Sequence, residues 1–387
     1  MSVVAISTTT RAEWGLLRPF AVALQDLGVE VRIVASGTHL SHEYGFTISE
    51  VKESGLPIDA EIPILADGDD ALAEAMTMSN ALGGFSKYFA SRRPDALLVL
   101  GDRFETLGIA EAAFLARIPI FHIHGGEVTE GAIDDALRHC ITKLSTLHFT
   151  STEEYKKRVI QLGEDPSRVF NVGAVGVENA LQVDRLDHSS LEESLGIVLP
   201  RPYAIMTYHP VTLAEEDPVD KLDQLLAAIQ KKQEIFFVAT KANADAGGRA
   251  INERLESFAR SNANLALFDS LGSQRYLSAI SRAAFVIGNS SSGLLEAPAF
   301  GVPTVNIGAR QKGRIRPKSV IDCKEDTESI LCAIDRALEP AFRASIQMMD
   351  NPYGKGATSR EVAKIIVRAL SKPINLEKAF FDLTPCS

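Results

Sequence analysis

Cysteine is scarce in this chain of 387 residues: Cys140, Cys323, Cys332 and Cys386 are all it has, with no CxxC pair and no histidine at zinc-site spacing. That pattern gives neither a disulfide framework nor a structural zinc site, and it points to reduced thiols in a cytoplasmic protein. Positive charge is also in deficit, 40 Lys and Arg against 50 Asp and Glu, for a net charge of −10. Nucleic acids and membrane surfaces are anionic and bind a basic field. Both are therefore set aside as partners, although one local basic pocket for a small anion stays open. Long hydrophobic runs are absent: nothing reaches the roughly 18 apolar residues of a membrane span. Met1–Ile6 runs directly into a strand without a basic region and signal-peptide core, so the protein is expected to stay where it is made. No Gly-x-Gly-x-x-Gly follows the first strand and no Walker A sequence occurs, which disfavours nicotinamide and P-loop chemistry.

What is present is an ordinary globular composition, 45% hydrophobic and 23% charged, at a length that suits two domains. Val3–Ser7, Val29–Ala35, Ala96–Leu100, Ile118–His122 and His148–Thr150 read as buried strands, with helices at Glu13–Leu27, Asp70–Ser91, Glu105–Ala116 and Asp134–Leu144. The pattern restarts with strands at Tyr203–Thr207, Ile235–Ala239, Leu265–Phe268, Ala284–Ile287 and Thr304–Ile307. Helices at Val219–Lys232, Gly248–Ala259, Gln274–Ser281 and Leu294–Phe300 lie between them. Apolar strands alternating with helices mean parallel sheets covered on both faces. The expected fold class is α/β, with two Rossmann-like doubly wound domains facing a central cleft. The polar stretch 184–202, ending on Pro200 and Pro202, sets the expected division: 1–185, then 186–358, with a helix and tail over 359–387 that packs back on the first half.

The chemistry-bearing residues fall at strand ends. Gly288-Asn289-Ser290-Ser291-Ser292-Gly293 follows a strand and opens the helix that carries Glu296. Small polar residues at a helix N-terminus expose N–H groups and hydroxyls to an anion; a plain serine cap with a turn glycine is the bland alternative. Downstream, Arg310, Lys312, Arg314, Arg316 and Lys318 cluster in an otherwise acidic protein and could neutralise a diphosphate, or form a solvated loop. Gly101-Asp102-Arg103-Phe104-Glu105 puts a carboxylate and a guanidinium at a strand end, where Asp102 could also merely cap the next helix. His122-Ile123-His124-Gly125-Gly126-Glu127 and Asp134-Asp135 follow. Residues 122 and 124 would share a face if the strand persisted, but the spacing lacks a fourth ligand, so no metal site is expected. His209 follows the first strand of the second half, where an acid-base or ligand-binding role competes with a structural one. Arg11, after the first strand, is the matching cation of the first half.

Taken in order, Thr10-Arg11-Ala12-Glu13, Gly101–Glu105, His124–Glu127 with Ile133-Asp134-Asp135 and Arg138-His139, and Gly288–Gly293 with Arg310–Arg314 resemble the hydrolysing UDP-N-acetylglucosamine 2-epimerases. Those of bacterial capsule synthesis, which supply N-acetylmannosamine for sialic acid, are the nearest kind. The likeness runs from about Val3 to Arg368. It implies a GT-B type fold with UDP held mainly by the second domain, no cofactor, and a homodimer or homotetramer. It also implies nucleotide-sugar contacts from Arg11, Arg103, His209, Asn243, Ser290, Ser291, Glu296, Arg310 and Arg314. Asp102, Glu127 and Asp134 fall among the acid-base carboxylates, with Arg103 and Arg11 expected to keep Asp102 charged. Many relatives carry a glutamate where this chain has His124, so either Glu127 substitutes or His124 moves the proton. The implied reaction eliminates UDP from UDP-GlcNAc to give a 2-acetamidoglucal, which water converts to the free 2-epimer. Alternatives are the same chemistry on UDP- or GDP-N,N'-diacetylbacillosamine in legionaminic acid synthesis, or a GT-B glycosyltransferase.

Overall fold

The computed structural model describes residues 2–68, 70–129, 133–210, 218–242, 248–347 and 349–383. The chain divides into two units, Met1–Glu178 with Tyr353–Ser387, and Asn179–Pro352. The first unit is built on β1 (Val3–Thr8), β2 (Glu30–Ser36), β3 (Ile58–Ile62), β4 (Ala96–Leu100), β5 (Ile120–Ile123), β6 (Leu147–Thr150) and β7 (Val169–Asn171). The second is built on β8 (Tyr203–Thr207), β9 (Phe236–Thr240), β10 (Leu265–Phe268), β11 (Phe285–Gly288), β12 (Thr304–Ile307) and β13 (Val320–Cys323). The sheet orders are β3-β2-β1-β4-β5-β6-β7 and β10-β9-β8-β11-β12-β13. Every neighbouring pair runs parallel.

Burial explains why these runs are strands. Along β1, Val4 and Ile6 enter one apolar cluster with Trp14, Leu17, Phe20 and Leu24, while Ala5 enters another with Phe85, Leu97 and Val99. The period of two puts alternate residues on opposite faces, and helices cover both. In the second unit Ala204 and Met206 of β8 join one cluster, and Tyr203 and Ile205 join the other. The last helix, Thr358–Leu370, places Val362, Ala363 and Ile366 in the same cluster as Phe20. Among the described residues no helix is long and apolar enough to cross a membrane.

Two features differ from the sequence-based expectation. The division falls at 178/179 instead of 185/186, inside the Val175–Gln182 helix. The 184–202 stretch is part of the second unit, whose core takes Leu191, Leu195 and Leu199. The second difference is the set of unexpected strands: β3, β7 and β13 all lie at sheet edges.

In each unit the chain order reverses between two adjacent strands: β1 and β4 in the first, β8 and β11 in the second. Loops leaving the carboxyl ends of such a pair diverge and leave room for a ligand. The expected functional residues lie on the loops around these two switch points and on the helices that follow them.

Candidate active site

In the first unit a buried arginine organises the carboxylates. Arg138, from the Ile133–Leu144 helix, forms an ion pair with Asp102 at the end of β4. The same guanidinium donates to Asp135 (2.7 Å), the Glu127 carbonyl (2.6 Å) and the Thr129 hydroxyl (2.9 Å). Asp135 also accepts from the Thr129 N–H at 2.9 Å. One cation therefore gathers the loops after β4 and β5 onto one helix. Arg138 belongs to the motif that carries the resemblance, yet its sequence position gave no hint of this hub.

Asp102 does not cap the following helix: the cap position is Arg103, which makes no capping hydrogen bond. The expected neutralising cations are engaged elsewhere. Arg103 grips the buried Glu105 with two bonds, 3.1 and 2.7 Å. Arg11 is exposed and pairs with Glu50 at 2.9 Å. Asp134 lies in the first turn of the Ile133–Leu144 helix, where burial and then the charge of Asp102 raise its pKa. The two carboxyls thus differ in kind: Asp102 is ion-paired, whereas burial and the Asp102 charge raise the proton affinity of Asp134.

His122 and His124 do not share a strand face. β5 ends at Ile123, and His124 turns into the left-handed region at φ 66°. The fully buried ring of His122 lies between the Gly101 carbonyl (2.8 Å) and the Thr142 hydroxyl (3.3 Å), and burial drops its pKa to about 3. With both nitrogens occupied it does not join His124 and Glu127 as a ligand set. Glu127 accepts from the Ser151 hydroxyl at 2.7 Å, and its carboxylate is 3.7 Å from Nδ1 of His124. Nε2 of His124 is sealed from solvent with no hydrogen-bond partner.

In the second unit His209 follows β8 and the serine run follows β11. The amide of Asn289 takes the His209 N–H and donates to the His209 carbonyl, each at 2.8 Å. The Asn289 carbonyl accepts from Arg310 (3.2 Å) and Gln311 (2.8 Å), on the loop after β12. His209, Ser290, Ser291 and Arg310 are thereby brought to one strand-end cluster. Arg314 acts electrostatically on Glu296, whose pKa burial raises and whose Oε2 is sealed without a partner. Asn243 lies outside the described residues.

Two expectations here need correction. The helix after the serine run is a single turn, Ser292–Leu295, and Glu296 sits between it and a short 3-10 turn at Ala297–Phe300. Pro298 breaks the helical pattern, so little macrodipole develops, and anion binding here rests on hydroxyls, N–H groups and Arg310. The cationic run is not five free charges either: Arg316 bonds Asp322 and the carbonyls of Gln311 and Arg314, which makes it the brace of its own loop.

The sequence and the fold are similar to those of known proteins. The family profile described as UDP-N-acetylglucosamine 2-epimerase matches residues 23–367. A Campylobacter jejuni protein named GDP/UDP-N,N'-diacetylbacillosamine 2-epimerase (hydrolyzing) is 40% identical over 382 residues, 98% of this chain and 99% of its own. An Escherichia coli protein named polysialic acid biosynthesis protein P7 is 37% identical, covering 100% of this chain and 99% of its own. The crystal structure of a Neisseria meningitidis UDP-GlcNAc 2-epimerase bound to UDP-GlcNAc shares the fold. Its TM-score is 0.80 at 17% identity, over 95% of this chain and 100% of that one.

Proposed function

Since the chain belongs to the UDP-N-acetylglucosamine 2-epimerase family and is a hydrolysing nucleotide-sugar 2-epimerase, we propose that it takes a UDP-linked 2-acetamido sugar, eliminates UDP, and hydrates the resulting glycal to the free 2-epimer. The observation that carries the reading is the pair of carboxyls at the end of β4 and in the first turn of the Ile133–Leu144 helix: Asp102 held by Arg138, and Asp134 with its proton affinity raised beside it. A C2 proton is weakly acidic, and a carboxylate with raised pKa is the stronger base for it. In the forward step Asp134 takes that proton, the C1–O electrons leave with UDP, and a C1–C2 double bond forms. In the second step water adds its oxygen to C1, and a proton returns to C2 from the opposite face. His124 and Glu127, on the adjacent loop, are the candidates for that second proton. Arg310, Arg314 and the hydroxyls of Ser290 and Ser291 bear the charge growing on the departing diphosphate, and Glu296 and His209 hold the rest of the nucleotide.

For the sugar we put UDP-N,N'-diacetylbacillosamine first, because the Campylobacter relative at 40% identity carries that substrate class in its name. This reverses the order that the sequence suggested. UDP-GlcNAc is the second reading, favoured by the family description and by the polysialic acid relative at 37%. Both substrates are offered in parallel and the released sugar identified by NMR. Preferential release of the 2-epimer from the diacetamido substrate is the expected result. Release only from UDP-GlcNAc reverses the order, and UDP release from neither overturns the reaction.

A further inference from the structure

Asn289 is a neutral side chain with no solvent exposure, yet it has more structural partners than any catalytic role would require. It stands one residue past the end of β11. The residue before it, Gly288, has φ 132°, and a Cβ there would lie 1.9 Å from the Thr207 carbonyl oxygen. Only glycine allows β8 and β11 to approach so closely at their ends. That approach brings the Asn289 amide against the peptide groups of His209, and the amide pairs both of them, N–H to Oδ1 and Nδ2–H to C=O, each at 2.8 Å. The side chain therefore acts as a surrogate peptide, extending the β8–β11 ladder past its last backbone pair, Gly288 with Thr207. Its backbone continues the work: the Asn289 N–H donates to the Thr207 carbonyl at 3.2 Å, and its carbonyl receives Arg310 and Gln311. One residue thus ties the carboxyl ends of β8, β11 and β12.

We propose that Asn289 is a positioning residue that presents His209 and Arg310 to one anionic ligand, a nucleoside diphosphate group, and fixes the start of the serine run between them. This rests on the reading of that cluster as the UDP site. Asn289 itself need not touch the ligand. Its amide orients the His209 backbone and its carbonyl holds the Arg310 guanidinium, so a ligand meets both groups already in place. Arginine loses rotamer freedom on binding, and holding it in advance removes part of that cost. No charged side chain could replace the amide, because a carboxylate would face the His209 carbonyl and an ammonium the His209 N–H.

The test is a double-mutant cycle read by UDP calorimetry, with the melting temperature measured alongside. Asn289→Ser is neutral and too short to bridge both peptide groups, and Asn289→Thr, closer in volume, serves if the serine variant melts early. Asn289→Ser should weaken UDP about tenfold, and Arg310→Ala by on the order of 10- to 100-fold. In a His209→Ala background the Asn289→Ser effect should shrink to about twofold or less, because the ring that the amide positions through the His209 backbone is gone, whereas the Asn289 carbonyl that holds Arg310 is kept in the serine variant. Full additivity, or unchanged UDP affinity in Asn289→Ser while Arg310→Ala weakens it, overturns the positioning role and leaves the site reading intact. Unchanged affinity in both Asn289→Ser and Arg310→Ala overturns the site reading itself. A lowered melting temperature with native UDP affinity would mark Asn289 as structural alone, again against the proposal.

Discussion

Glu13 is a carboxyl that folding removes almost entirely from water, at 7% exposure. One oxygen accepts from the Thr9 N–H (2.7 Å) and the Thr9 hydroxyl (2.8 Å), while the other is sealed without a partner. Burial raises its pKa to about 7 from 4.5, against the opposing pull of the Thr9 donors and Arg103. The folded state therefore binds this proton more tightly than the unfolded state, and stability should fall as pH rises between about 4.5 and about 7. Glu13→Gln keeps an acceptor for both Thr9 donors and removes the titration. Its stability advantage over the parent should grow by roughly 2–3 kcal/mol from about pH 5 to about pH 8, read from urea midpoints. A constant difference would mean that Glu13 keeps its ordinary pKa. The carboxyls of the site separate in a similar way. Asp134→Asn should cut turnover by about 10²–10⁴ with a melting temperature unchanged or higher, since an unfavourably buried charge is lost. Asp102→Asn should lower both, because it leaves the buried Arg138 short of a partner. Near-normal turnover in Asp134→Asn would remove it from the chemistry. The sequence marked Asp102 at a strand end and Asp134 at the start of a helix, and the resemblance put both among the acid-base carboxylates. It did not show that Arg138 ties Asp102 to Asp135, because the Arg138–Asp102 pairing joins positions 36 apart and is made only by the fold.

At the scale of elements, the interior strands were legible and the edges were not. β1, β4, β8 and β11 are apolar on both faces and stand out as continuous aliphatic runs, whereas β3, Ile58–Ile62, is only half-buried and includes Asp59 and Glu61. The C-terminal helix and tail were expected to pack back on the first half, and residues 378–380 show how the tail is held, pegged into a buried socket. Glu164 accepts from His148 (3.0 Å), Lys143 (2.6 Å) and Lys378 (2.7 Å). Lys378 also donates to the carbonyls of Lys143 and Ser145, and the Phe380 ring covers Gly163, where any Cβ would collide with it. Although burial opposes ionisation, the bonds from His148 and the two lysines hold the Glu164 pKa down to about 2. A depressed carboxyl contributes stability above its unfolded pKa of 4.5 and loses it as pH falls towards about 2. Lys378→Met should therefore destabilise the first unit by about 2–4 kcal/mol near neutral pH, with a smaller deficit at about pH 3, in chemical denaturation. An unchanged midpoint at neutral pH would show that the tail is not anchored there.

Across the whole molecule, each sheet reverses its order at one pair of strands, and the expected residues gather around those two places. That arrangement followed from the alternation of apolar strands and helices, so the fold class could be read from sequence. The sugar could not, because the groups that would recognise substituents at C4 or C6 carry no local pattern comparable with Gly288–Gly293. The central claim concerns one carbon: the C2–H bond breaks, UDP departs, and the sugar is released free with C2 inverted. Turnover of UDP-N,N'-diacetylbacillosamine or UDP-GlcNAc in D₂O, followed by proton NMR, reads all three events at once. The account predicts UDP together with a free 2-epimer bearing one deuterium at C2. A product that keeps its C2 proton, keeps its original configuration, or remains attached to UDP would contradict it.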